Sequence, residues 1–233
     1  MNHDCFIVYS NFWQYLGLKS AFCAQISDFT VNLLNLPRFL VMRVRRVFLT
    51  VGTTSFDALI ETVDTQEFIS VIKEFGCQEL ILQIGRGAYI PSKYLTVENC
   101  NQHGIRFEYF RFKSTLADDM SAANLIISHC GAGSVLEAVT LRKLLLVVTN
   151  DTLQENHQEE LADAMTQRKH CLKAVPKSLI DTLLDLASLL KGGSNRGEVR
   201  SSAADLEALG LVPYPVADLN AFPATIDSMF SFH

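Results

Sequence analysis

From Val47 onward, apolar and polar positions follow two rhythms. Short unbroken apolar runs, "VFLTV", "ELILQIG", "NLIISH" and "LLLVVTN", predict strands buried on both faces of a parallel sheet. "IRFEYF" predicts one more. Between them the apolar residues recur at three- and four-residue intervals, which predicts helices over "FDALIETVDTQEFISVIKEFG", "TLADDMSAA", "SVLEAVTLRK", "ENHQEELADAMTQRK" and "SLIDTLLDLASLLKG". Gly76 stands where a helix would close in the left-handed conformation. Strands alternating with helices through short turns give an α/β fold, a single Rossmann-like doubly wound parallel sheet. Right-handed crossovers gather all the strand-end loops on one edge, where ligands of such folds bind.

The pattern divides the chain. Residues 1–45 are an atypical N-terminal extension, apolar and aromatic at Phe12-Trp13, Tyr15-Leu16 and Phe39-Leu40-Val41, turning basic at Arg43, Arg45 and Arg46. His3-Asp4 at the start speaks against a secretory signal, and Asp4 and Asp28 against a transit peptide. Residues 46–191 form the ligand-binding domain, 192–204 a flexible linker by composition ("GGSNRGEVRSS"), and 205–233 a C-terminal segment whose "FPATIDSMFSF" predicts a helix packing back.

A net charge of −5 excludes a protein built chiefly to grip nucleic acid through its phosphates. Six scattered cysteines, with no C-x-x-C pair, read as reduced thiols of a cytoplasmic protein. No apolar run approaches the roughly eighteen residues of a membrane-spanning helix, so the chain is expected to lack a transmembrane segment of its own.

Three loops at strand carboxyl ends carry candidate chemistry. "TVGTTSFD" offers Gly52, Thr53 and Thr54 at a helix start; it matches neither a dinucleotide fingerprint nor a P-loop, and Thr54 with Asp57 could equally be a capping box. "HCGAGSVLE" is richer. Gly131 and Gly133, on either side of Ala132, let backbone amides approach an anion at a helix N-terminus, and His129 could donate to a phosphate. Glu137 offers two acceptor oxygens to a ribose diol, although Ser134 and Glu137 also spell a capping box. "NDTLQENHQEELA" brings Asn156, His157 and Gln158 to another helix start, either for sugar hydroxyls or as a solvated polar turn. Arg86 of "IGRG" adds a cation on the same edge, or merely solvates its loop.

Together, "VFLTVGTTSFDALI", "LILQIGRG" and "SHCGAGSVLEAV…NDTLQENHQEELA" resemble the family of catalytic subunits of the UDP-N-acetylglucosamine transferase of dolichol-linked oligosaccharide synthesis, within glycosyltransferase family 28. That family is similar to the C-terminal, donor-binding half of the bacterial muramyl-peptide N-acetylglucosaminyltransferase, a GT-B enzyme. "HCGAGSVLE" also resembles the H-C-G-x-x-S-x-x-E box of plant UDP-sugar transferases. The resemblance spans about residues 46–191, and "FPATIDSMFSF" fits the family's closing helix. It departs at Cys130, where the family has Ala, and at Leu144, where it has Pro after Lys143.

The resemblance implies that Gly131, Gly133 and Ser134 face a diphosphate with His129 beside it. Glu137 then holds the ribose, Asn156 and Gln158 reach the donor sugar, and Gly52, Thr53 and Thr54 close the other side. It further implies inverting transfer of N-acetylglucosamine from UDP-N-acetylglucosamine onto dolichol-linked GlcNAc (GlcNAc-diphosphodolichol), forming a β1,4 bond, with no cofactor and no metal. Because residues 47–190 supply one Rossmann-like unit, half of a GT-B enzyme, it implies a membrane-anchored partner subunit at the cytosolic face of the endoplasmic reticulum. No general base is assigned to this chain. A non-catalytic nucleotide-sugar-binding or scaffold protein of the same fold, and a transferase for another UDP-sugar or lipid acceptor, are the alternatives.

Overall fold

The computed structural model describes residues 43–150, 157–192 and 202–215. The chain divides into two compact units, Met1–Arg38 and Phe39–His233, and the described residues all belong to the second.

Six parallel strands form the sheet: β1 (Arg46–Thr50), β2 (Glu79–Gln83), β3 (Arg106–Phe110), β4 (Leu125–Ser128), β5 (Leu144–Val148) and β6 (Leu172–Ala174). Their spatial order is β3-β2-β1-β4-β5-β6. Chain direction across the sheet therefore reverses between β1 and β4, which opens a crevice at their carboxyl ends. Register keeps the ends level, since Thr50 pairs with Gln83 on one side and with Ser128 on the other.

The continuous apolar runs follow from burial on both faces. Val47, Leu49, Leu80, Leu82, Leu125, Ile127, Leu144 and Leu146 point to one layer. Phe48, Ile126, Leu145 and Val147, offset by one residue, point to the other. Helices α1 (Asp57–Val63), α2 (Gln66–Glu74) and α7 (Leu179–Gly192) cover the first layer. Helices α4 (Ala117–Ala122), α5 (Ala132–Thr140) and α6 (His157–Gln167) cover the second. The short α3 (Val97–Gln102) precedes β3, and α8 (Ala203–Ala208) follows α7. Gly76 closes α2 at φ +82°, as its sequence position predicts.

Several elements differ from the sequence expectation. The long helix after β1 is two helices. Asp64 ends the first by turning its carboxylate into a loop, and Thr65 caps the second, its hydroxyl accepting from the Phe68 amide. Helix α5 begins at Ala132, two residues before Ser134, because Gly131 takes the N-cap position. α3, with Thr96 capping at the Asn99 amide, and the three-residue β6 are additions. α8 begins inside the 192–204 span: Ser202 accepts from the Asp205 amide, and Asp205 accepts from the Ser202 amide. The "FPATIDSMFSF" helix and the 1–45 extension up to Met42 lie outside the described residues.

Candidate functional site

The site assembles where β1, β2 and β4 end. At the end of β1, the buried Thr50 hydroxyl donates to Gln83 Oε1 at 2.5 Å and accepts from the Gly52 amide at 2.9 Å. Gly52 adopts φ +62°, a left-handed conformation that glycine takes without penalty. After β4 the backbone turns through Cys130 at φ 66°, a costly conformation for a residue with a side chain, and delivers Gly131 to the start of α5. The Cys130 thiol donates to the Gln158 carbonyl at 3.3 Å, which ties the start of α6 to this turn. Burial, reinforced by the neighbouring Cys171 and Glu159, pushes that thiol up to about 12, so it is unreactive near neutrality.

No side chain caps α5. The amides of Ala132, Gly133 and Ser134 therefore have no acceptor within the helix and carry the positive end of its dipole. Ser134 and Glu137 do not form the capping box that their spacing allows, and Glu137 has no side-chain partner among the described residues. The same holds at α1, where Phe56 is the N-cap, Thr54 Oγ1 donates to the Val51 carbonyl at 2.8 Å, and Asp57 accepts from the Ala88 and Tyr89 amides.

His129 lies between the two glycine turns, 6% exposed. Its Nδ1 is 3.3 Å from the Thr50 carbonyl oxygen. Burial holds its pKa below the ordinary histidine value, opposed only by that hydrogen bond, so the ring is neutral. A neutral ring bonded to a carbonyl through Nδ1–H presents a bare lone pair at Nε2. The sequence reading of His129 as a phosphate donor therefore requires a second proton. The fully buried hydroxyl of Ser128, the residue before it, has no hydrogen-bond partner among the described residues.

These groups share one cleft of about 400 Å³, lined by Gly52, Thr53, His129, Gly131, Ala132, Gly133, Ser134 and Glu137 from the sequence-derived set. Thr54 and Arg86 are not among its lining residues: Thr54 is bonded within its own turn, and exposed Arg86 donates its amide to the Thr54 carbonyl. Nor do His157 and Gln158 line it; they open α6, with His157 exposed and 4.0 Å from Glu160. Asn156 lies outside the described residues.

Sequence reasoning missed the cleft's other wall, Gln83 and Phe112 to Leu116. Its signal was positional, since "FRFKST" follows a strand and must reach the same edge. Lys113 there is held by both carboxylate oxygens of Asp119, at 3.0 and 2.9 Å, and lies 4.0 Å above the Phe110 ring. Also unforeseen is Arg111, whose guanidinium donates to the Gly85 and Gly87 carbonyls and fixes the "IGRG" turn. Among the described residues no cluster of three His, Cys, Asp or Glu side chains could hold a metal ion, and no helix is long and apolar enough to cross a membrane.

Known proteins share this framework. Residues 46–203 match the family described as glycosyltransferase family 28 C-terminal domain. Among curated proteins, the UDP-N-acetylglucosamine transferase subunit ALG13 of Mus musculus is 34% identical over 198 residues, covering 81% of this chain and 16% of its own. The subunit of the same name from Homo sapiens is 43% identical over 124 residues, 53% of this chain and 10% of its own. That of Yarrowia lipolytica is 36% identical over 121 residues, 52% and 60%. The chain thus spans from about a tenth to three fifths of these relatives. The crystal structure of Acinetobacter baumannii MurG aligns with a TM-score of 0.51 at 18% identity, covering 82% of this chain and 50% of MurG, a likeness of fold.

Proposed function

Because the chain belongs to the glycosyltransferase family 28 C-terminal domain family, we propose that its cleft binds UDP-N-acetylglucosamine and that the chain is the donor-binding, catalytic subunit of a transferase. The observation that carries this reading is the company kept in one cleft: three helix-start amides without acceptors, two glycine turns, and the unpaired carboxylate of Glu137. A helix end contributes about 0.3–1 kcal/mol toward an anion, or ~2 when partly buried. Micromolar affinity needs about 8 kcal/mol. The diphosphate therefore must be supplemented, by Glu137 on the ribose hydroxyls and by the Phe112–Leu116 wall.

In the proposed reaction the acceptor hydroxyl's oxygen attacks the sugar's anomeric carbon from the face opposite UDP, its proton passes to a general base that is not assigned to this chain, and the carbon–oxygen bond to the diphosphate breaks with inversion. The helix-start amides take the negative charge that collects on the departing UDP. The acceptor is dolichol-linked GlcNAc and the product a β1,4-linked disaccharide. The relatives' designation as a transferase subunit supports a division of labour, in which a membrane-anchored partner brings the acceptor half to the cytosolic face of the endoplasmic reticulum.

The test is reconstitution. The isolated chain should bind UDP-N-acetylglucosamine yet transfer little radiolabelled sugar to the lipid acceptor, and should gain turnover when the membrane subunit is added. Full transfer by the chain alone would sink the two-subunit reading. Intact binding with no transfer in the complex would favour a nucleotide-sugar-binding scaffold.

A further inference from the structure

We propose that His129 takes up a proton from solution when the diphosphate enters the cleft, so that donor binding is proton-coupled. This rests on the UDP-sugar reading and adds a linkage to it.

The argument starts from the ring's two nitrogens. A carbonyl oxygen only accepts, so the Nδ1 facing Thr50 carries the hydrogen. Nε2 has no protein partner among the described residues and belongs to a residue lining the cleft. The surrounding glycines keep the ring uncovered. A Cβ on Gly131 would stand 2.6 Å from Nε2, and one on Gly52 2.7 Å from Cε1. Gly131 has an ordinary φ of −68°, so its backbone does not require glycine, whereas the space over Nε2 does.

A diphosphate at the start of α5 would set an anion that only accepts against a lone pair that only accepts. The Thr50 bond opposes rotation of the ring out of the way. Protonation removes the conflict: Nε2 gains a hydrogen from hydronium or a buffer acid, and the imidazolium donates to Thr50 and to the phosphate at once.

The other charged groups of the cleft do not supply that proton. On α5 the group is Glu137, a carboxylate, and in the β3–α4 loop it is Lys113, already held by Asp119. The ends of β1 and β2 contribute the uncharged Thr50 and Gln83. At the start of α6, Glu159 is paired with Lys173 and His157 is not a lining residue. Burial lowers the His129 pKa in the free protein, and a bound anion raises it. Affinity should therefore rise as pH falls between those two values, by up to about tenfold per pH unit.

The experiment is calorimetric titration of UDP-N-acetylglucosamine at about pH 7.5 in HEPES and in Tris, whose protonation enthalpies differ. The diphosphate of this ligand is a diester with no ionisation near neutrality, so proton uptake belongs to the protein. The expected result is a buffer-dependent enthalpy equivalent to a sizeable fraction of ~1 proton. That dependence should disappear in His129→Gln, whose amide donates without protonation. Imidazole nitrogen NMR of the wild-type chain gives the same answer without a variant: the free protein should show one protonated and one bare nitrogen, the complex two protonated. Binding with no buffer dependence and an unchanged ring overturns this inference and leaves the donor-site reading standing. Uptake that persists in His129→Gln assigns the proton elsewhere and also overturns it. Absence of any binding overturns both.

Discussion

Glu137 lies in the second turn of α5, partly buried, with no partner for its carboxylate among the described residues. A side chain that holds nothing together can be changed without cost to the fold. Glu137→Gln should change the unfolding free energy by no more than the roughly 0.5 kcal/mol typical of surface changes, read as a nearly unchanged melting temperature. UDP affinity, measured by calorimetry, should fall tenfold or more. A drop in stability with affinity intact would return Glu137 to a structural role. Gly52 is the opposite case. Gly52→Ala puts a Cβ 2.7 Å from His129 at a φ of +62°, so it should cost about 1–3 kcal/mol in denaturant unfolding and weaken UDP binding as well. At this scale the sequence was legible as chemistry and illegible as geometry. "SVLE" reads as a capping box, yet Gly131 takes the cap and neither polar side chain makes a capping bond. Periodicity alone cannot place the first helical residue when a glycine turn adds two more.

Among the elements, the break between α1 and α2 has the clearest energetic signature. Asp64, 1% exposed, accepts from the Tyr89 hydroxyl and from the amides of Ser92, Lys93, Tyr94 and Leu95. Burial alone would raise its pKa, but the Leu95, Lys93, Tyr94 and Ser92 amides outweigh burial and bring it to about 2. A pKa lowered by folding stabilises the protein above the unfolded value near 3.8, and that stability is lost as pH falls through the folded value. Equilibrium unfolding should therefore show on the order of 2 kcal/mol disappearing between about pH 4 and pH 2. Asp64→Asn should flatten that limb and destabilise the neutral protein by about 1–3 kcal/mol. The amphipathic rhythm runs from Phe56 to Gly76 and hides the break, because Asp64-Thr65 occupies one polar step of it. Four strands were plain because both faces of each are buried, whereas β6 has three residues and only Ala174 fully buried.

For the whole molecule, strand order places the candidate residues better than any motif does. The reversal between β1 and β4 puts "VGT" and "HCGAG" across one crevice, while Arg86, His157 and Gln158, on the same edge, are not lining residues. Sequence spacing shows which loops share an edge; it does not show which of them touch. A ligand seated there stabilises the entire domain by mass action. UDP-N-acetylglucosamine at a hundred times its dissociation constant should add about 2.7 kcal/mol, read as a rise in melting temperature. Glu137→Gln should shrink that rise at a fixed ligand concentration.

Thr50 sits at the centre of this arrangement, with its hydroxyl on Gln83 and Gly52 and its carbonyl on His129. Gln83 and His129 thus communicate through a shared neighbour. Energetic effects of altering the two should fail to sum: in a double-mutant cycle, Gln83→Ala with His129→Gln should depart from additivity by more than the roughly 0.3–0.5 kcal/mol tolerated for independent positions. The effect of a substitution at either position on ligand preference would then depend on which residue stands at the other, and a change at Thr50 would reach both.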